Sequence, residues 1–324
     1  MARSIYIASP NAGTGKSTVA LGLVSCLTKV VAKVGVFRPF VESREGDAFL
    51  SLLLNRAGST TPPEQCVGAT WDEFHADPEE ALARIVDAYR AMAREHDVVI
   101  IDGSDFTDVA GNPELALNAR VAANIGVPVL LVVSGQHDVE DVVASVEVSM
   151  AEIADNHART VAVVANKCLP ETRQAVGEAL TAIEGITSTT LPEVPLLAAP
   201  VVREVLDAVE GTLIAGDETL LDREAESVLV CAMDVSHVLE RLTAGQLAIV
   251  PADRSAMLIS LMAAQASSSF PILSGLILNG GFEVAPHALR LLEGLDVNIP
   301  VITSPLDTFA AASAAGSLQG LLAH

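Results

Sequence analysis

Ten residues constrain this 324-residue chain more than any other segment: Ser9-Pro10-Asn11-Ala12-Gly13-Thr14-Gly15-Lys16-Ser17-Thr18. An apolar run, Ser4–Ala8, precedes them, and a helix-like pattern, Val19–Val24, follows. Strand, glycine-rich loop, then Gly-Lys-Ser opening a helix is the context of a phosphate-binding loop. Glycines let backbone N–H groups curl around phosphate oxygens, and a helix N-terminus favours the anion. Gly13, Thr14, Gly15, Lys16, Ser17 and Thr18 are therefore the candidate nucleotide-binding residues. Lys16 would reach the outer phosphates and Ser17 would hold Mg²⁺. The strict pattern places glycine six residues before Lys16, where this chain has Pro10, so the loop is a variant.

Around the loop the chain reads as an α/β protein. Apolar strands are predicted at 5–8, 34–37, 98–102, 129–133, 161–165 and 194–197, with helices at 16–30, 77–95, 114–125, 138–155 and 172–184. This alternation predicts a mostly parallel sheet with helices on both faces, binding ligands at the carboxyl ends of its strands. Three further residues fall at such ends. Asp102 closes the run Val98–Ile101 and is placed to complete a Mg²⁺ site with Ser17, or simply to start a turn. Arg38 follows Val36-Phe37, as a ligand-facing cation or a solvated loop residue. Asn166 ends Val163–Ala165, as a nucleobase-pairing amide or a turn residue. The stretch from Arg44 to Asp77 reads as irregular, a candidate lid or specificity loop. The pattern resets near 211–217. A smaller α/β series follows, with strands at 227–232, 247–250, 275–278 and 300–302 and helices at 235–242, 253–265, 286–293 and 307–314. There Asp253-Arg254-Ser255 and Asn279-Gly280-Gly281 follow apolar strands. Asp253 reads as an N-cap, and Asp253, Arg254, Asn279 and Gly280 form a candidate pocket or subunit interface.

Composition narrows the partners. The formal net charge is −22, from 19 Lys and Arg against 41 Asp and Glu, which argues against nucleic acid or an anionic membrane. Four scattered cysteines without CxxC spacing read as reduced thiols of a cytoplasmic protein. The seven histidines lack metal-ligand spacing. No signal peptide or apolar run of membrane-spanning length is present.

Together these motifs carry a resemblance. Residues 1–210, with the loop 9–18, Phe37-Arg38-Pro39, Asp102-Gly103 and Asn166-Lys167, resemble the dethiobiotin-synthetase-like P-loop domain. Residues 217–324, with Asp253-Arg254-Ser255 and Asn279-Gly280-Gly281, resemble the DRTGG domain. The two in series resemble the N-terminal region of long bacterial phosphate acetyltransferases. Full-length members of that family interconvert acetyl-CoA plus phosphate with acetyl phosphate plus CoA, chemistry assigned by the resemblance to a further C-terminal domain expected to be absent here. The resemblance implies a regulatory and assembly module, a homo-oligomer responding to a small-molecule metabolite. The alternative is an ATP-dependent synthetase of the dethiobiotin type, supported by Gly15-Lys16-Ser17 and Asp102. Two departures weigh against it. Gly103-Ser104-Asp105-Phe106 replaces a glycine-rich turn, and Arg38 stands where those synthetases have a lysine. Arginine cannot deprotonate to act as a base or nucleophile.

Overall fold

A computed structural model describes residues 3–44, 46–104, 114–294, 298–318 and 320. The chain divides into two compact units, one up to Val194 and one from Pro195 onward.

The first unit is built on seven parallel strands: β1 (Arg3–Ala8), β2 (Val34–Val41), β3 (Val67–Thr70), β4 (Val98–Asp102), β5 (Val129–Ser134), β6 (Thr160–Cys168) and β7 (Thr187–Pro192), ordered β3-β2-β4-β1-β5-β6-β7. Between them lie α1 (Lys16–Leu27), α2 (Ala48–Ala57), α3 (Trp71–Ala76), α4 (Pro78–Glu95), α5 (Glu114–Ile125), α6 (Val139–Asp155) and α7 (Arg173–Thr181). Val129 through Val133 of β5 are all buried although successive side chains point to opposite faces. Both faces of the sheet centre are therefore covered, as a P-loop NTPase-like parallel sheet requires.

Four local expectations change. The strand read at 34–37 continues to Val41 because β3 extends beside it, so Arg38 lies inside β2 and not in a loop beyond it. The stretch from Arg44 to Asp77 contains α2, β3 and α3. The last of these starts in a capping box, with Thr70 Oγ1 accepting from Glu73 N and Glu73 accepting from Thr70 N. The seventh strand is the threonine-rich 187–192, whereas Pro195–Ala198 forms a 3₁₀ turn.

The second unit has a five-stranded sheet: β8 (Thr212–Ala215), β9 (Ser227–Val230), β10 (Gln246–Pro251), β11 (Gly275–Asn279) and β12 (Val301–Thr303), ordered β8-β12-β11-β10-β9, with β8 alone antiparallel. Its helices are α8 (Val202–Ala208), α9 (Val235–Leu239), α10 (Ser255–Gln265), α11 (Pro286–Gly294) and α12 (Thr308–Ser317). The two-residue period separates two cores. Leu247, Ile249 and Ile277 face Val202, Val205 and Val209 together with Ala311 and Ala315. Ala248, Val250, Leu276 and Leu278 pack with Met257, Leu258, Leu261 and Met262 on the other side. Burying each α8-segment valine contributes roughly 1.5–3 kcal/mol. That is why residues 195–210, read from the sequence with the first domain, pack with the second sheet.

Candidate functional site

Strand register gathers the first-unit candidates at one carboxyl edge. Ile7 of β1 is level with Asp102 of β4, and Phe37 of β2 with Ile101. Ala8 lies beside Leu131, and Ser134 beside Asn166. The loop leaving β1 thus reaches α1 between Asp102 on one side and Asn166 on the other.

Gly13 and Gly15 are both left-handed, with φ of 75° and 76°, and Gly15 is the residue from which α1 starts. A β-carbon at Gly15 would collide with the Asn166 amide. That amide donates to the Thr14 carbonyl at 2.9 Å, and Lys167 Nζ donates to the Gly13 carbonyl at 2.7 Å. Lys167 is itself left-handed, at φ 58°, where β6 slips register against β7. Burial lowers the Lys167 pKa, a shift opposed by the Glu193 carboxylate. With their carbonyls drawn toward β6, the loop residues form a cradle ahead of the first N–H groups of α1.

Lys16 is wholly buried. Its ammonium donates to Asp102 Oδ1 at 2.7 Å and to the Gly103 carbonyl. Asp102 is also buried, and Arg38 Nε stands 3.3 Å from its Oδ2. Arg38 pairs through Nη1 with Asp47, the N-cap of α2. Gly103 must be glycine, since a β-carbon would lie 2.6 Å from the Ile7 carbonyl and 2.7 Å from Asn118 Oδ1. Asn118 fixes this turn, accepting from Tyr6 Oη at 2.7 Å and Ser104 N at 3.1 Å, and donating to Ser104 O.

The residues fit a nucleotide phosphate with Mg²⁺. There is a left-handed two-glycine loop at a helix N-terminus, a buried Ser17 one residue after Lys16, and an Asp102 Oδ2 that receives no hydrogen bond from the described residues. Asp105 and Phe106 lie outside the described residues. Asp47 and Asn118 escape a motif reading, and Lys167, named there beside Asn166, escapes it as a strut, since its partner Gly13 is distant in sequence. Only the adjacency of Lys167 to Asn166 could have signalled one of them.

In the second unit the two motifs share an edge. Pro251 is level with Asn279, and Ala252 N donates to Asn279 O at 2.9 Å. Their side chains diverge. Arg254 Nη1 donates to the carbonyls of Cys231 at 2.8 Å and Ala232 at 3.1 Å, and its Nη2 to Met233 at 3.2 Å. The buried Asn279 carboxamide meets Thr308 at the start of α12. Asp253 is exposed and is not the cap of α10. That position belongs to Arg254, and no side chain bonds the helix end. Gly280 N donates to Leu306 O at 2.7 Å in the turn after β11. Burial pushes the Cys231 thiol up to about 11, against the opposing Arg254 charge. Among the described residues no cluster of three or more His, Cys, Asp or Glu side chains could hold a metal, and no helix is long and apolar enough to cross a membrane.

Two domain models match the chain in series, meeting near residue 205, about ten residues after the change of compact unit at Val194. An AAA domain model matches residues 3–205, and a DRTGG domain model matches residues 204–318. Among curated proteins, the phosphate acetyltransferase of Nitratidesulfovibrio vulgaris is 27% identical, over 99% of this chain and 48% of that protein. The phosphate acetyltransferase of Synechocystis is 25% identical, over 95% and 46%. The chain spans about half the length of the curated relatives it matches. Among solved structures, a plasmid partition protein from Borrelia burgdorferi aligns with a TM-score of 0.43 and 15% identity, over 60% of this chain and 86% of that one. With the phosphate-loop strand, glycine turn and helix standing at the head of a match that covers more than half its length, the chain belongs to the AAA domain family and carries a DRTGG domain after it.

Proposed function

We propose that this chain is the nucleotide-responsive regulatory and assembly part of a phosphate acetyltransferase. Similarity along nearly its whole length to proteins of that name supports the family. The observation that carries the regulatory reading is the state of Asp102. The acid that would serve Mg²⁺ is held by Lys16 at 2.7 Å and faced by Arg38 at 3.3 Å. A bound phosphate must compete with that internal pairing, so occupancy selects between two charge arrangements. Arg38 cannot supply the proton transfer available to a lysine. When bound, Mg²⁺ would neutralise charge between phosphate oxygens. Gly13–Thr18 would cradle the phosphates, Ser17 and Asp102 would hold the metal, and Asn166 and Lys167 would keep the loop in shape.

The synthetase alternative is favoured by one observation, the convergence of Lys16, Ser17 and Asp102 at the carboxyl edge. The two readings separate in solution. Millimolar ADP or ATP with Mg²⁺ should raise the melting temperature, as mass action requires of a ligand that binds only the folded state, and Lys16→Ala should abolish the rise. The purified chain should release no CoA from acetyl-CoA and phosphate. CoA release that survives repurification would overturn the regulatory reading. Lys16-dependent turnover of ATP to ADP would favour the synthetase.

A further inference from the structure

The candidate phosphate loop connects to a part of the first unit that no phosphate would touch. Four charges alternate from the loop outward: Lys16, Asp102, Arg38 and Asp47. Lys16 occupies Oδ1 of Asp102. Among the described residues, Oδ2 of Asp102 and Nε of Arg38 are both buried and both lack a hydrogen-bond partner, yet they face each other at 3.3 Å. A small rotation would pair them. The opposite end of Arg38 is engaged with α2 in two ways. Nη1 meets Asp47 Oδ2, and the guanidinium carbon lies 5.8 Å from the centre of the Phe49 ring. Asp47 is also the cap of that helix, its Oδ1 accepting from Leu50 N at 2.8 Å.

We propose that Arg38 transmits occupancy of the phosphate loop to α2. A phosphate anion draws the Lys16 ammonium off Asp102. A buried carboxylate stripped of its cation is strongly unfavourable, and the orphaned Arg38 Nε is the nearest replacement. As the guanidinium turns fully onto Asp102 it leaves Asp47 and Phe49, and the first turn of α2 loosens. The proposal deepens the nucleotide-responsive reading and rests on Gly13–Thr18 being an anion site.

Amide hydrogen exchange over residues 47–58 tests it, with the α7 peptide as the control for global unfolding. The ligand arm uses ADP in EDTA, because Mg²⁺ would itself compensate Asp102. Binding is confirmed by thermal shift, and α2 exchange should then accelerate. Absence of any thermal shift would defeat the nucleotide reading and leave the link to the ligand-free arm. There, Lys16→Met should speed α2 exchange roughly two- to fivefold, the scale of losing one partly exposed ion pair. Lys16→Met/Asp102→Asn, with no buried charge to satisfy, should return it to the wild-type rate. Equal protection in Lys16→Met and wild type, or fast exchange that persists in the double variant, overturns the link. Should Lys16→Met fail to fold, Asp102→Asn decides. Arg38 then stays on Asp47 and α2 keeps its protection, whereas a loosened α2 refutes the proposal.

Discussion

Gly15 is fixed twice, by a left-handed backbone and by the Asn166 amide lying where a side chain would begin. Gly13 has the first constraint only, with nothing within 4 Å of its missing β-carbon. Gly13→Ala should therefore cost about 1 kcal/mol, the penalty of a non-glycine left-handed residue. Gly15→Ala should cost roughly 2–4 kcal/mol once steric displacement is added. Urea unfolding of the two variants checks the order, and an equal cost would show that Asn166 yields freely. Single residues were legible in the sequence where the chemistry is local. Lys16 and Ser17 follow from the glycine-rich loop that opens a helix, and Asp102 from an apolar run meeting one polar residue. The contact of Asn166 with the loop was not legible. Its amide donates to the Thr14 carbonyl, and no pattern within β6 reports what lies 152 residues earlier.

At the scale of elements, Arg254 acts as a strut between neighbouring strand ends. It follows β10 yet donates to three successive carbonyls just beyond β9. The Cys231 carbonyl belongs to a buried residue whereas Ala232 and Met233 are exposed, and hydrogen bonds from a charged donor are worth more than exposed ion pairs. Arg254→Ala should therefore destabilise by about 1–3 kcal/mol, well above the ~0.5 kcal/mol of an ordinary surface arginine. Chemical denaturation measures it, and a change below that ordinary value would return Arg254 to the status of a solvated residue open to ligand or subunit. The long elements were readable from periodicity, α4 and α6 to within a residue of their starts. The short ones were not. β3 spans four residues, Val-Gly-Ala-Thr, too few to alternate visibly. α3 did announce itself by Thr70 and Glu73 at capping-box spacing, a signal lost among the prolines and charges around it. β7 was displaced because its threonines make no apolar run, whereas the apolar Leu196-Leu197 looked like a strand that Pro195 turns into a 3₁₀ helix.

For the molecule as a whole the dominant quantity is the charge of −22. Self-repulsion of that size opposes the compact state and is screened over ~10 Å at 0.1 M salt. Raising potassium chloride from about 20 to 300 mM should therefore raise the melting temperature by a few degrees, on the scale where 1 kcal/mol is worth roughly 2–4 °C. A fall in calorimetry would mean that exposed ion pairs such as Arg203–Asp222, which salt screens, outweigh the bulk repulsion. β7 has a consequence of a different kind. It is the outermost strand of its sheet, and its sequence is Thr-Ser-Thr-Thr-Leu-Pro with Thr187, Thr189, Leu191 and Pro192 exposed. An unpaired strand edge is a template on which another chain can add itself. Here the outward rungs are mostly hydroxyl-bearing and the last is a proline with no N–H to offer. The proline that ends β7 therefore denies an added strand one rung of that open edge.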